Sequence, residues 1–172
     1  FPDDFKGQIP EDRKDPMAML GINGYPLMYG SIVKFGPEGG EIKRTLKDDG
    51  IAFFHTIGGN VSIVIGNPWT TRYIFPNGQI PSIAQLGKAM EGLMVIEDWH
   101  NFGPDYDKTL MAWYENFEKH WPELQDRYSE RFHRMWRFYL LSSAGAFRSR
   151  SIQLWQVVMT KPGMSQPDCR CV

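Results

Sequence analysis

The run Ile51-Ala52-Phe53-Phe54-His55-Thr56-Ile57 is closed by Asp48-Asp49-Gly50 on one side and by Gly58-Gly59-Asn60 on the other. A short, mainly apolar stretch between turn residues is too brief for a buried helix, so it predicts a strand over 51–57 buried on both faces. Before it, residues 41–47 read as a helix end. Beyond it, Asn67-Pro68-Trp69 and Phe75-Pro76-Asn77-Gly78 mark an irregular aromatic loop region. Ser82 is placed to cap a helix reaching Met90, and Gly92-Leu93-Met94-Val95-Ile96-Glu97-Asp98-Trp99 reads as a second strand. Leu110, Tyr114, Phe117, Trp121 and Leu124 recur at helical spacing and predict an amphipathic helix from about Asp107 to Leu124. Ser129 is placed to cap a further helix with Phe132, Met135, Trp136 and Tyr139 as its buried arc, ending near Gly145. Ile152-Gln153-Leu154-Trp155-Gln156-Val157-Val158-Met159 alternates as a strand does. The order strand, helix, strand, two helices, strand predicts an α/β fold, the closing half of an open sheet with crossover helices.

The 172 residues, 42% hydrophobic, suffice for one core. A net charge of -1 gives no basic excess for nucleic acid. No apolar run approaches the roughly 20 residues a membrane span needs. Residues 1–42 are punctuated by Pro and Gly and read as loops with one short strand at 31–35. The chain opens on Phe1 without signal-peptide features, which suggests a processed or truncated piece. Cys169 and Cys171 are too few for a disulfide framework, and the four histidines are too scattered for a metal site, so no metal is expected.

His55, at the expected exit of the first strand, and His100, just after the second, sit where open α/β sheets keep their sites. The plainer alternative is a pair of histidines hydrogen-bonded to backbone. His120 and His133 fall on helices beside Trp121 and Arg134 and read as structural or surface residues. Gly-x-Ser-x-Gly and Walker sequences are missing, which argues against serine and nucleotide hydrolysis. Gly36-Pro37-Glu38-Gly39-Gly40 is spoiled as a cofactor loop by Pro37 and Glu38.

The near-neutral total hides a segregation. Residues 97–126 carry a net charge of -6 and residues 127–150 a net charge of +5. On an unbroken helix, Arg127, Arg131, Arg134, Arg137 and Arg148 fall within about a 120° arc opposite the apolar arc. That arc reads either as a solvated face paired with the acidic helix or as a surface for anionic lipid headgroups, whose phosphates suit the arginine fork.

Several multi-residue runs carry a family resemblance: Leu46-Lys47-Asp48-Asp49-Gly50 through His55-Thr56-Ile57-Gly58, Asn67-Pro68-Trp69, and Tyr73-Ile74-Phe75-Pro76-Asn77-Gly78. They continue with Glu97-Asp98-Trp99-His100-Asn101-Phe102-Gly103, Asp105-Tyr106-Asp107-Lys108-Thr109-Leu110-Met111-Ala112-Trp113, and Tyr128-Ser129-Glu130-Arg131-Phe132. Ala144-Gly145-Ala146-Phe147-Arg148 and Ile152-Gln153-Leu154-Trp155-Gln156-Val157-Val158 complete the series. Over about residues 43–160 these resemble, in order and spacing, the C-terminal portion of the cyclopropane-fatty-acyl-phospholipid synthases, the mycolic acid cyclopropane synthase family.

The resemblance implies the C-terminal half of a Rossmann-like S-adenosylmethionine-dependent methyltransferase sheet, with crossover helices and a closing antiparallel strand. It implies a divergent or truncated segment at 1–42, part of the lipid methyltransferase catalytic domain at 43–162, and a tail at 163–172. The implied reaction moves the methyl of S-adenosylmethionine onto the cis double bond of an unsaturated phospholipid acyl chain, and loss of a proton then closes a cyclopropane ring. By resemblance, a bicarbonate ion takes the proton and is held by His55, the N–H of Ile57 and Tyr106. Trp69, Tyr73, Phe75 and Trp99 would face the cation and line the acyl path. The family's glycine-rich cofactor loop has no counterpart in these residues. Val33 stands where a glutamate is expected, and Asn67 where an Asp precedes Pro-Trp. The isolated chain is therefore expected to transfer no methyl group. The implied location is cytoplasmic, at the inner face of the membrane, and a homo-oligomer is among the expected partners. The alternatives are a related lipid or amine methyltransferase, or a non-catalytic lipid-binding fragment.

Overall fold

The computed structural model describes residues 41–63, 66–76 and 78–168; the strand expected at 31–35 and both cysteines lie outside them. The elements are α1 (Glu41–Thr45), β1 (Ile51–Gly59), α2 (Pro68–Tyr73), α3 (Ile83–Met90), β2 (Val95–Asn101), α4 (Gly103–Leu124), α5 (Glu130–Arg148) and β3 (Ile152–Thr160). The sheet runs β1-β3-β2, with β3 antiparallel to both neighbours. β1 and β2 therefore point the same way with the last strand inserted between them.

Opposed residues share a face of a sheet, so the register sorts the side chains. Phe54, Val157 and Trp99 lie on one face; His55, Gln156 and His100 lie on the other. The first face is closed by α3, with Leu86, Met90, Val157 and Met159 almost fully buried and Ile42 and Leu46 packed at the rim. α3 is capped by Ser82 as expected, and the cap is reciprocal: Gln85 N–H donates to Ser82 Oγ at 3.1 Å and Ser82 N–H to Gln85 Oε1 at 2.9 Å. Toward the start of β3, the second face carries the larger core, where Leu110, Leu140, Phe147 and Leu154 meet between α4, α5 and the sheet.

Five expectations are corrected. β1 is not buried on both faces: Ile51 is 51% and Phe53 61% exposed. It also runs on to Gly59, which puts His55 in mid-strand rather than at the exit. The aromatic loop after it contains α2, whose first turn is organised by Asn67; the side chain accepts from the N–H groups of Trp69 and Thr70 at 3.0 and 3.1 Å. Asn67 thus supplies at the expected Asp position a carbonyl oxygen that caps equally well.

α4 begins at Gly103, four residues before the expected Asp107, because Asn101 Oδ1 takes the Gly103 N–H at 3.0 Å and a proline occupies the first turn. α5 does start behind Ser129, which accepts from Phe132 N–H at 3.3 Å, but it continues through Gly145 to Arg148.

Candidate functional site

The site is built on the open face of the sheet around β1, an edge strand whose outer side is met near its end, where the Gly59 N–H donates to the Pro81 carbonyl at 2.8 Å. His55 and His100 flank Gln156 in one row across the three strands. The Gln156 amide Nε2 donates to His55 Nδ1 at 3.3 Å. An imidazole that accepts on Nδ1 carries its proton on Nε2, so the ring presents an N–H beyond the glutamine. Partial burial pushes the His55 pKa below its usual 6.5 and favours the neutral ring. His100 stacks on Phe102 at 4.1 Å.

The backbone of β1 offers a second donor. Leu154 uses its carbonyl toward β2, accepting from Phe102 N–H at 2.7 Å. Its pairing with Ile57 is therefore of the kind that exchanges no backbone hydrogen bonds, and the Ile57 N–H points away from β3, toward the open edge of β1. The Ile57 carbonyl takes the Thr56 hydroxyl at 3.0 Å.

Tyr106 comes from the first turn of α4, on the same face. Its ring packs edge-on against Phe147 and Trp113, at 5.0 and 5.7 Å between centroids. Burial raises its pKa above the usual 10.0, so the phenol stays protonated. Its hydroxyl makes no hydrogen bond among the described residues. The Ile57 and Tyr106 side chains border the same core and the His55 side chain lies on that face of the sheet, while the Ile57 amide lies in the plane of the sheet at its edge. Three donors without a fixed cation suit a small oxyanion.

A polar clamp fixes the sheet end from which α4 departs. Gln153, 5% exposed, accepts on Oε1 from Asn101 Nδ2 at 2.9 Å and Arg150 Nε at 3.2 Å, and donates through Nε2 to the Arg150 carbonyl at 2.8 Å and Asn60 Oδ1 at 3.3 Å. Arg150 adopts a left-handed φ of 62° at this junction, and Asn60 Nδ2 donates to its carbonyl at 2.7 Å. The clamp joins the ends of β1 and β2, the start of β3 and the start of α4. It thereby ties the start of α4, the helix that carries Tyr106, to the end of β1. Gln153, Gln156 and Asn101 were missed by sequence reasoning, although two glutamines in an otherwise apolar strand were the available signal.

The other expected site residues divide. Trp69, Tyr73 and Phe75 gather against α5, with Trp69 4.6 Å from Phe138 and Phe75 5.9 Å from Tyr139. Trp99 does not join them; it packs edge-on against Trp155 at 5.3 Å on the opposite face. Strand alternation forbids a single wall of all four aromatics. The arginine arc is also shorter than expected, because Arg127 precedes α5. Arg148 is engaged by Asp107 through two 2.9 Å hydrogen bonds, which hold that carboxyl below its usual range. Arg137 lies 5.8 Å over the Tyr114 ring, and Arg131 and Arg134 stay on the exposed side of the helix. His133 stacks on Trp121 at 4.2 Å and meets Glu118 at 3.0 Å, a structural role as expected, and His120 contacts the Asn116 carbonyl at 2.8 Å. Among the described residues, no helix is long and apolar enough to cross a membrane, and no group of three or more His, Cys, Asp or Glu side chains is placed to hold a metal.

Known proteins resemble this chain at the level of sequence and fold. A family model described as mycolic acid cyclopropane synthetase matches residues 40–157. The cyclopropane-fatty-acyl-phospholipid synthase of Escherichia coli K12 is 55% identical over 120 residues, 70% of this chain and 31% of that protein. A cyclopropane-fatty-acyl-phospholipid synthase sequence from Citrobacter freundii is 57% identical over 79 residues, 46% of this chain and 89% of its own length. The chain thus spans about a third of the E. coli relative.

Among solved structures, the Mycobacterium tuberculosis cyclopropane synthase MmaA2 aligns with a TM-score of 0.64 at 24% identity, covering 70% of this chain and 47% of that one. The mycolic acid cyclopropane synthase CmaA1, complexed with SAH and CTAB, aligns with a TM-score of 0.61 at 23% identity, covering 72% and 51%. Both alignments show that the chain shares an α/β fold with these proteins.

Proposed function

Because the chain belongs to the mycolic acid cyclopropane synthetase family over residues 40–157, we propose that it carries the C-terminal part of an S-adenosylmethionine-dependent enzyme forming cyclopropane rings on unsaturated phospholipid acyl chains. The observation that carries the reading is the 55% identity to a synthase of that name across the segment bearing His55, Ile57 and Tyr106. In this reading the three-stranded sheet is the end of a larger Rossmann-like sheet.

S-adenosylmethionine supplies an electrophilic methyl, whose addition to the double bond leaves a carbocation on the acyl chain. Ring closure requires removal of a proton from the added methyl, and a bicarbonate ion held by this chain's residues would supply the base. What this chain contributes is the seat for that anion. His55 Nε2–H, the Ile57 amide and the Tyr106 hydroxyl are its donors, and Gln156 fixes the imidazole tautomer from behind. The depressed His55 pKa and raised Tyr106 pKa keep both groups neutral, which suits donors that must hold a base without protonating it. Trp69, Tyr73 and Phe75 form the apolar side, where aromatic faces favour a passing cation.

The test is a chimera of the E. coli relative in which residues 43–160 of this chain replace the matching segment. With labelled S-adenosylmethionine and unsaturated phospholipid, it is expected to yield a product heavier by one CH2 and lacking the double bond, while the isolated 172-residue chain yields none. A chimera that methylates an amine or hydroxyl and leaves the double bond intact would point instead to a related methyltransferase.

A further inference from the structure

Apart from the contacts of Phe138 with Trp69 and of Arg137 with Tyr114, the outer face of α5 lies outside the site just described. Between Arg131 and Arg150 there is no acidic residue. Opposite the buried stripe of Phe132, Met135, Trp136 and Leu140, a second stripe runs through Arg134, Phe138 and Leu141 at the same helical spacing. Arg134 makes no ion pair among the described residues, Phe138 is 54% exposed and Leu141 36% exposed. The Trp69 ring stands edge-on against Phe138, extending the apolar centre of a cationic surface.

We infer that this face seats the protein on an anionic phospholipid bilayer, with Phe138 and Leu141 entering the headgroup layer and Arg134 and Arg137 meeting lipid phosphates. The charge selects an anionic partner, and the exposed apolar pair selects one with an apolar phase behind its phosphates. A nucleic acid backbone satisfies only the first demand. A second copy joined through the same face would set arginine against arginine. Arg148 is not part of the surface, since Asp107 already neutralises it. The inference extends the lipid reading above to the place of contact, but it concerns binding alone. Its failure would leave the chimera result standing, and failure of the chimera would leave the binding result standing.

The test is co-sedimentation of the 172-residue chain with vesicles of phosphatidylcholine, with and without phosphatidylglycerol. Binding is expected only to the anionic vesicles and to weaken with added salt. Arg134→Ala with Arg137→Ala is expected to lower it about tenfold or more, at several-fold per arginine. Phe138→Ser with Leu141→Ser should remove the part of the binding that survives high salt, with the thermal midpoint of each variant confirming that it folds. Binding that ignores both pairs of substitutions overturns the assignment. So does duplex DNA binding of equal strength that Phe138→Ser leaves unchanged.

Discussion

The two faces of the sheet are made by the same three strands and differ in almost everything else. On one, Phe54, Val157 and Met159 are sealed beneath α3. On the other, built from the alternate residues of each strand, Ile51 and Phe53 stand exposed and His55, Gln156 and His100 form a polar row. The two-residue period of a strand lets one backbone serve a closed apolar layer and a site without compromise between them. Substitutions on the sealed face should therefore cost stability, and those on the open face activity.

The largest effect expected is His55→Ala in the chimera. Methyl transfer should fall by a factor of about 10² or more, as for loss of a group engaged with the catalytic base, with little change in the urea midpoint. Met159→Ala inverts that result. A fully buried methionine truncated to alanine is expected to lose about 2–5 kcal/mol in urea unfolding of the chain.

Gly58→Ala sharpens the contrast, because its added Cβ would run into the indole of Trp155 on the sealed face. The overpacking should cost about 1–3 kcal/mol. Phe53→Ser, 61% exposed on the same strand, is expected to change unfolding free energy by no more than about 0.5 kcal/mol. A large loss there would break the comparison.

The smallest effect is on pH dependence. His55 has a folded pKa below 6.5, so its neutral form contributes stability that is present above that value and lost as pH falls through the folded pKa. His55→Gln should flatten the acid limb of the urea midpoint against pH. Tyr106 acts at the other end. Its pKa is raised, so its contribution is present below pH 10.0 and lost as pH rises through the folded value.

Much of this architecture is legible in the residues, for identifiable reasons. The stripes of α4 and α5 repeat at helical spacing over 22 and 19 residues, long enough for the period to dominate. Ser82 and Ser129 announce helix starts because a hydroxyl there has an orphan amide to satisfy. What failed depended on partners far away in sequence. An apolar run such as residues 51–57 does not say whether anything covers its second face, and Asn101 gives no hint that it starts a helix until Gln153, 52 residues on, holds it. Gln156 acquires its role only through the strand register. The family resemblance named His55, Ile57 and Tyr106, and the register supplies a physical reason for the middle one: its amide faces the open edge of β1 because Leu154 is committed to β2.

The central claim is that the open face and edge of β1 hold the anionic base. It is tested most directly by the methyl-transfer rate of the chimera as bicarbonate is varied, with His55 intact and with His55→Asn. A rate that rises to saturation with bicarbonate, and a variant that needs about tenfold more or fails to saturate, is the predicted result. Identical bicarbonate curves for the two proteins would contradict it.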